Sequence, residues 1–252
     1  MPKDVIQAPQ NRLLASLAPS DYDILRADLE PITLSYRASL YRAKEPIKFV
    51  YFLENGVASL VNTMKNGSAS EVGTIGNEGF VGLPVLLGDD RAPTGVYMQV
   101  AGSGLRMKTK NFSAALLESV SFRTAMFHYG HAFFNQVAQS AACATFHGLE
   151  QRCCRWILMT HDRMQCDDFT LTQEFLAMML GVRRAGVTVA AGALKRAGLI
   201  RYARGKVTIL DRRGLEARSC ECYGVTAKEF DRLLGTAASM VGTQGLLTRA
   251  DA

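Results

Sequence analysis

The chain of 252 residues has no histidine before His128 and no cysteine before Cys143. The first absence removes the imidazole ligands that a metal-dependent cupin-like enzyme would need in the β-rich first half. The six cysteines (Cys143, Cys153, Cys154, Cys166, Cys220 and Cys222) include no CxxC pair and no zinc-ligand spacing, so buried reduced thiols are expected and no metal is assigned. GxSxG, P-loop and zinc-protease motifs are missing too, which leaves nothing to argue for catalysis. No apolar run approaches the ~20 residues of a membrane span. The N-terminus lacks the charged, apolar and small-residue order of a signal peptide. The expectation is a cytoplasmic protein with no membrane partner.

What is present begins with charge. The net charge of +6 is unevenly placed. Residues 170–213 hold nine Lys and Arg against Glu174 and Asp211, a surplus of +7, while the rest of the chain is nearly balanced. A basic block in an otherwise neutral chain points to an anionic polymer.

From Ile32 to about Lys110 the chain is strand-like, with short runs of Val, Ile, Phe and Tyr between turn signals. Asn55–Gly56 and Asn66–Gly67 each stand between apolar runs and predict hairpins. From Phe112 to about Asp162 the period becomes helical. Ala125, His128, Ala132, Asn135, Gln139, Ala142, Phe146 and Leu149 fall three or four apart. Ala138, Ala141, Ala142 and Ala144 would let a second helix approach, which favours pairing with a second copy over packing on the chain's own β-domain.

The stretch FTLTQEFLAMMLG reads as one helix. Thr172 is its cap, Glu174 stands near its positive end, and Gly181 stops it. A second helix opens near Arg183 and runs through VTVAAGALKRAG to Gly198. Its glycines and β-branched residues make it a poor helix, at ~1 kcal/mol for each interior glycine. Close packing against the first helix explains the choice. Val187, Ala190, Ala191 and Leu194 form its apolar stripe. The segment LIRYARGKVTIL then makes a hairpin with a basic tip, so the unit is a winged helix-turn-helix. Arg183, Arg184 and Thr188 are the expected base readers, since arginine donates twice to guanine. Thr172, Gln173, Arg201, Arg204 and Lys206 are expected at the DNA backbone.

Over about residues 12–213 the chain resembles the Crp/Fnr family of transcription regulators. The segments that carry the likeness are FVYFLENGVASLV…EVGTIGNEGFVGLPVLLG, the helix from about Ser121 to Leu149, and FTLTQEFLAMMLGVRRAGVTVAAGALKRAGLI with RYARGKVTIL. The resemblance implies an α+β chain. An N-terminal cupin-like β-roll spans 1–120 and a long dimerisation helix with its hinge spans 121–162. A winged helix-turn-helix spans 163–213, and a helical extension with a mobile tail spans 214–252. It further implies a homodimer on palindromic double-stranded DNA, in contact with RNA polymerase.

The departures carry equal weight. Family members that bind cyclic nucleotides hold the ribose with a glutamate and the phosphate with an arginine. Here Gly82-Leu83-Pro84 stands at the first position and Thr94-Gly95 at the second, with Arg91 three residues early. The effector pocket is therefore assigned to Gly82, Leu83, Arg91 and Thr94, without cyclic AMP as its ligand and with no cofactor identified. Many members read Arg-Glu at the start of the second helix, whereas this chain reads Arg184-Ala185. With no cysteine before Cys143, the family's iron–sulfur centre is excluded. Arg152 and Arg155 flank Cys153-Cys154 and would lower a thiol pKa, which leaves redox sensing open. Haem or metal ligation by His128, His131 and His147 ranks below their being ordinary helix histidines. A DNA-binding protein without an effector and a cupin-like enzyme fused to a basic domain are the rival readings. The extension after Arg213 is expected to pack on the winged domain.

Overall fold

The computed structural model describes residues 9–235. The segment TAASMVGTQGLLTRADA, expected to be a mobile tail, lies outside the described residues. Two short helices, α1 (Arg12–Ala15) and α2 (Pro19–Arg26), lead into the strands. The buried Asn11 pins this entry by donating to the Leu53 and Gly79 carbonyls, both at 2.8 Å, while its side-chain oxygen caps α1.

The β-domain contains β1 (Glu30–Leu34), β2 (Ser39–Tyr41), β3 (Phe49–Leu53), β4 (Val57–Thr63), β5 (Ala69–Ile75) and β6 (Phe80–Val81). The one-turn α3 (Leu83–Leu86) follows, then β7 (Gly95–Val100) and β8 (Gly102–Lys108). They form two antiparallel sheets, in the orders β1-β8-β3-β6 and β2-β7-β4-β5. Asn66–Gly67 turns β4 into β5 as a hairpin, as its dipeptide predicts. Asn55–Gly56 does not. β3 pairs with β6 and β8, whereas β4 pairs with β5 and β7, so this turn carries the chain from one sheet to the other. The Asn55 amide is used on Ser103, donating to its hydroxyl and accepting from its backbone N–H, both at 3.0 Å. A turn dipeptide specifies a reversal but not the strand that fills the neighbouring edge.

Between the sheets and the following helices lies an aromatic cluster. Phe52, Phe80, Phe112, Phe122 and Tyr129 meet with ring centroids 5.1–6.5 Å apart. Each such burial contributes ~1.5–3 kcal/mol. The last three rings come from α4 (Thr109–Glu118) and α5 (Val120–Phe146), the long helix expected from the periodicity. Gly79 lets α5 come this close, because a Cβ there would run into the Tyr129 ring.

The face of α5 singled out from the sequence is free only at its C-terminal end, where Ala142 and Phe146 are exposed. Ala125 and Ala132 are buried in the chain's own core. Asn135 donates to Glu229 and Gln139 to the Cys222 sulfur, both on α10 (Cys222–Leu234). The extension divides: Leu215 packs into the core of the winged unit, as expected, whereas α10 packs along α5 instead. The stripe left open runs through Val120, Thr124, Phe127, His131, Phe134, Ala138, Ala141 and Thr145. Phe127 is 50% and Phe134 68% exposed.

After a break at His147–Gly148 the chain continues as α6 (Leu149–Met164). Arg163 of α6 makes a buried ion pair with Glu78, at 2.6 and 2.9 Å, and also donates to Gln136 of α5 at 3.2 Å. Trp156 of α6 donates to Glu71 of β5 at 3.0 Å. Then follow β9 (Asp168–Thr170), α7 (Gln173–Leu180), α8 (Arg184–Arg196), β10 (Ile200–Ala203), β11 (Lys206–Ile209) and α9 (Arg212–Arg218) before α10. The strand β9, hidden in the sequence at the front of the first helix, pairs with β11 and gives the wing a third strand. No single helix among the described residues is long and apolar enough to cross a membrane.

Candidate nucleic-acid interface

The helix pair forms where its caps direct it. The Thr172 hydroxyl accepts from the Phe175 amide at 3.1 Å, and Gly181 ends α7 in the left-handed region at φ 64°. Phe175, Leu176, Met179 and Leu180 are buried, as their spacing predicts. The chain then turns through 106° into α8, within the range of helix-turn-helix units. Val187, Ala190, Ala191 and Leu194 face inward. Gly186 packs so tightly on α6 that a Cβ would stand 3.0 Å from Leu149. The close partner is thus α6 and not the first helix, and packing accounts for Gly186 but not for Gly192, where a Cβ would meet only Arg196 of α8 itself.

The outward face of α8 carries Arg184, Ala185, Thr188, Val189, Lys195 and Arg196, all exposed. Arg183 is the N-cap and is exposed beside them. Arg204 and Gly205 both have positive φ, 51° and 75°, giving the tight turn between β10 and β11. Tyr202 holds the wing down by donating to the Leu171 carbonyl at 2.8 Å. Between α8 and the wing opens a cleft of about 520 Å³ lined by Thr172, Gln173, Arg184, Thr188, Lys195 and Arg204 among others. Gln173 accepts from the Thr188 hydroxyl at 3.1 Å, which ties the two helices at the cleft floor. Arg183, Arg201 and Lys206 lie outside this lining. Arg201 is exposed on β10, and Lys206 pairs with Asp168 at 3.2 Å. The Thr208 hydroxyl, then Lys206, hold the Asp168 carboxyl below the usual range. Arg212, counted in the basic block, is engaged internally by Asp162 and Glu216 at 2.7 and 2.9 Å. Sequence reasoning missed Val189. It is 70% exposed on the open face of α8, where an apolar side chain can meet a thymine methyl. Its place four residues after Ala185, one helical turn along, was the available signal.

Gly82, Leu83, Arg91 and Thr94 do come together in the β-domain. They line a cleft of about 330 Å³ with Tyr41 and Phe133. Gly82 sits at φ 132° with its Cα hydrogens against Val50. Burial raises the Tyr41 hydroxyl pKa, against a hydrogen bond with Thr94 that lowers it. Arg91 is exposed, and its guanidinium donates to the Lys44 carbonyl at 3.2 Å.

Residues 151–218 match the family model for the Crp-like helix-turn-helix domain, and residues 32–119 match that for the cyclic nucleotide-binding domain. Together these take in more than half of the chain. The chain belongs to the Crp/Fnr family. It is a transcriptional regulator of that type and a DNA-binding protein, in a family that is not an enzyme class. Solved structures agree in fold. A protein described as a crp/fnr-family regulator from Eubacterium rectale superposes with a TM-score of 0.63 at 14% identity, covering 82% of this chain and 96% of that one. A CRP-family regulator from Thermus thermophilus gives 0.63 at 18% identity, covering 75% and 96%. The c-di-GMP-responsive regulator CLP of Xanthomonas campestris gives 0.59 at 15% identity, covering 76% and 99%. No curated protein sequence matches the chain.

In this Crp/Fnr member the thiols beside Arg152 and Arg155 are not activated. Cys153 and Cys154 are fully buried, and that burial raises both pKa values, that of Cys154 to about 11. The neighbouring arginines point elsewhere, Arg152 to the Leu180 carbonyl and Arg155 to the Ser140 hydroxyl. Flanking charge in sequence lowers a thiol pKa only when it faces the sulfur. Cys166 is the exposed cysteine. His131 is exposed on the open stripe of α5 and His128 is half-buried beside it, whereas His147 lies at the far end of the helix.

Proposed function

We propose that this regulator acts as a homodimer on a palindromic promoter site, with α8 in the major groove and the wing on the backbone. The observation that carries the reading is the cleft between α8 and the wing, where Arg184, Thr188, Lys195 and Arg204 present donors on one side. Arg184 is the base reader, and Arg183 and Thr188 stand beside it. Thr172, Gln173, Arg201, Arg204 and Lys206 contact phosphates. The heptad spacing of the open α5 stripe supports a parallel pair of α5 helices, since Val120, Phe127, Phe134 and Ala141 alternate with Thr124, His131, Ala138 and Thr145. RNA polymerase is the further partner expected of a regulator.

The cleft at Gly82, Leu83, Arg91 and Thr94 holds the effector. Its lining is mostly apolar, and Arg91 is turned to a backbone carbonyl. These features favour a neutral, largely apolar small molecule over a cyclic phosphate.

DNA binding by variants tests the main reading. An arginine–guanine pair contributes ~1–3 kcal/mol of discrimination, whereas a phosphate contact carries no sequence information. Arg184→Ala should lower the ratio of native to scrambled operator affinity by about 5- to 150-fold at matched salt. Lys206→Ala should weaken both alike and reduce the salt slope by about one phosphate contact. Unchanged ratios in Arg184→Ala and in Arg183→Ala would remove α8 as the reader.

A further inference from the structure

The structure brings together four side chains that local spacing keeps apart. Cys143 and His147 stand one turn apart on the last turns of α5. Cys220 and Cys222 flank the start of α10. The ligand atoms of all four lie within 4.8 Å of one another. The Cys143 and Cys220 sulfurs are 3.5 Å apart, and the Cys222 sulfur is 3.5 Å from His147 Nδ1. A tetrahedral zinc ion with bonds of ~2.3 Å to sulfur and ~2.0–2.1 Å to nitrogen needs ligand edges of roughly 3.8 Å between sulfurs and 3.5 Å between sulfur and nitrogen. Of the six edges, the sulfur–nitrogen one at 3.5 Å matches, the Cys143–Cys220 one is about 0.3 Å short, and the other four lie within 4.8 Å.

We propose that Cys143, His147, Cys220 and Cys222 form a closed tetrahedral site for a single zinc ion that clamps the C-terminal extension to the end of the long helix. Three further observations support it. All three cysteines are buried, at 1%, 4% and 1% exposure, so they form a preformed pocket and not a surface cluster. His147 Nε2 is 3.1 Å from the Glu221 carboxylate, which fixes the ring with its proton on Nε2 and its lone pair on Nδ1, facing the sulfurs. Gln139 Nε2 donates to the Cys222 sulfur at 3.0 Å, as an amide does toward a thiolate ligand. Three sulfurs and one imidazole select a soft, tetrahedral ion. Ligand atoms this close enclose one ion and leave no room for an iron–sulfur cluster. Four protein ligands also leave no open position, so the site is structural.

Its placement gives it a mechanical consequence. Cys143 and His147 end the helix at the His147–Gly148 break, and Cys220 comes just after the Ser219 cap of α9, which follows the wing. One ion therefore ties the segment leaving the winged unit to the helix that enters it.

The test uses the full chain, purified without a metal-binding tag and under reducing conditions. Elemental analysis after equilibration with zinc sulfate and desalting should find one zinc per chain. Cys222→Ser should lose it, and Cys166→Ser, outside the cluster, should keep it. Cobalt(II) added to metal-free wild type should give the intense visible bands of a tetrahedral thiolate complex, which a folding defect in a variant cannot mimic or hide. Those bands should weaken in His147→Ala. Absence of thiolate–cobalt bands in reduced wild type would overturn the proposal. So would zinc retained in full by Cys222→Ser, or isolation of the reduced-buffer protein with a Cys143–Cys220 disulfide.

Discussion

Replacing Glu71 by glutamine should remove a pH dependence built into the contact between the β-domain and α6. Glu71 accepts from Trp156 Nε1 at 3.0 Å and from the Ser59 hydroxyl at 2.6 Å. Burial raises its carboxyl from 4.5, the Ser59 and Trp156 hydrogen bonds, with Arg163 and Arg155 of α6, pull it part of the way back, and the balance leaves it at about 7. Below pH 4.5 both folded and unfolded chains carry the proton, and the contact has its full stability. As pH rises from 4.5 to about 7 the unfolded chain releases the proton while the folded one retains it, so stability falls across this window. The accumulated loss is roughly 3 kcal/mol by pH 8, taking ~1.4 kcal/mol for each pH unit of displacement. In Glu71→Gln the amide still accepts from Trp156 and donates to Ser59 but does not titrate. Denaturant unfolding of both proteins from pH 5 to pH 8 isolates the effect, because other titrations cancel in the difference. The variant should gain on wild type as pH rises, by roughly 2–3 kcal/mol over the range. Trp156 is the chain's only tryptophan, so its fluorescence should titrate near pH 7 in wild type and stay flat in the variant. Parallel stability curves, or a wild type that gains on the variant as pH rises, would refute the reasoning.

Further outcomes follow from the same packing. Ala138→Glu, on the open stripe of α5, should convert a micromolar dimer to monomers in sedimentation. A wild type already monomeric at that concentration would end the α5 seam reading. Arg163→Met alone should cost about 3–5 kcal/mol by leaving Glu78 buried and unpaired, whereas the double change with Glu78→Leu should recover much of that in thermal unfolding. Additive losses would show that the pair is not coupled. Calorimetry with cyclic AMP and cyclic GMP should register no binding at micromolar ligand. Heat of binding in that range would mean that the Arg91 guanidinium leaves the Lys44 carbonyl to serve as the phosphate partner.

Much of this regulator is written in short-range chemistry. The Thr172 cap, the Gly181 and Gly198 stops, the basic Arg204-Gly205 turn and the apolar stripe Val187–Leu194 each depend on residues a few positions apart. The sequence by itself therefore determined the winged helix-turn-helix and its charge. It also showed the loss of the glutamate and arginine that hold a cyclic phosphate, because those positions are read directly against the family pattern. What it did not contain was the choice among long-range partners. Asn55–Gly56 announces a turn, yet the filling of two sheets decided that β3 and β4 separate. Period alone marked an apolar face on α5, but the chain's own core and α10 cover most of that face and leave the neighbouring stripe open. Arg152 and Arg155 flank two thiols in sequence, while folding turns both guanidiniums away and buries the sulfurs. Cys222 and His147 are 75 residues apart, so no local spacing rule joins them. Only the return of α10 along α5 brings them to 3.5 Å. Caps and turns are satisfied within one or two turns of chain, whereas burial and ligand geometry are settled by whichever distant segment arrives to exclude water.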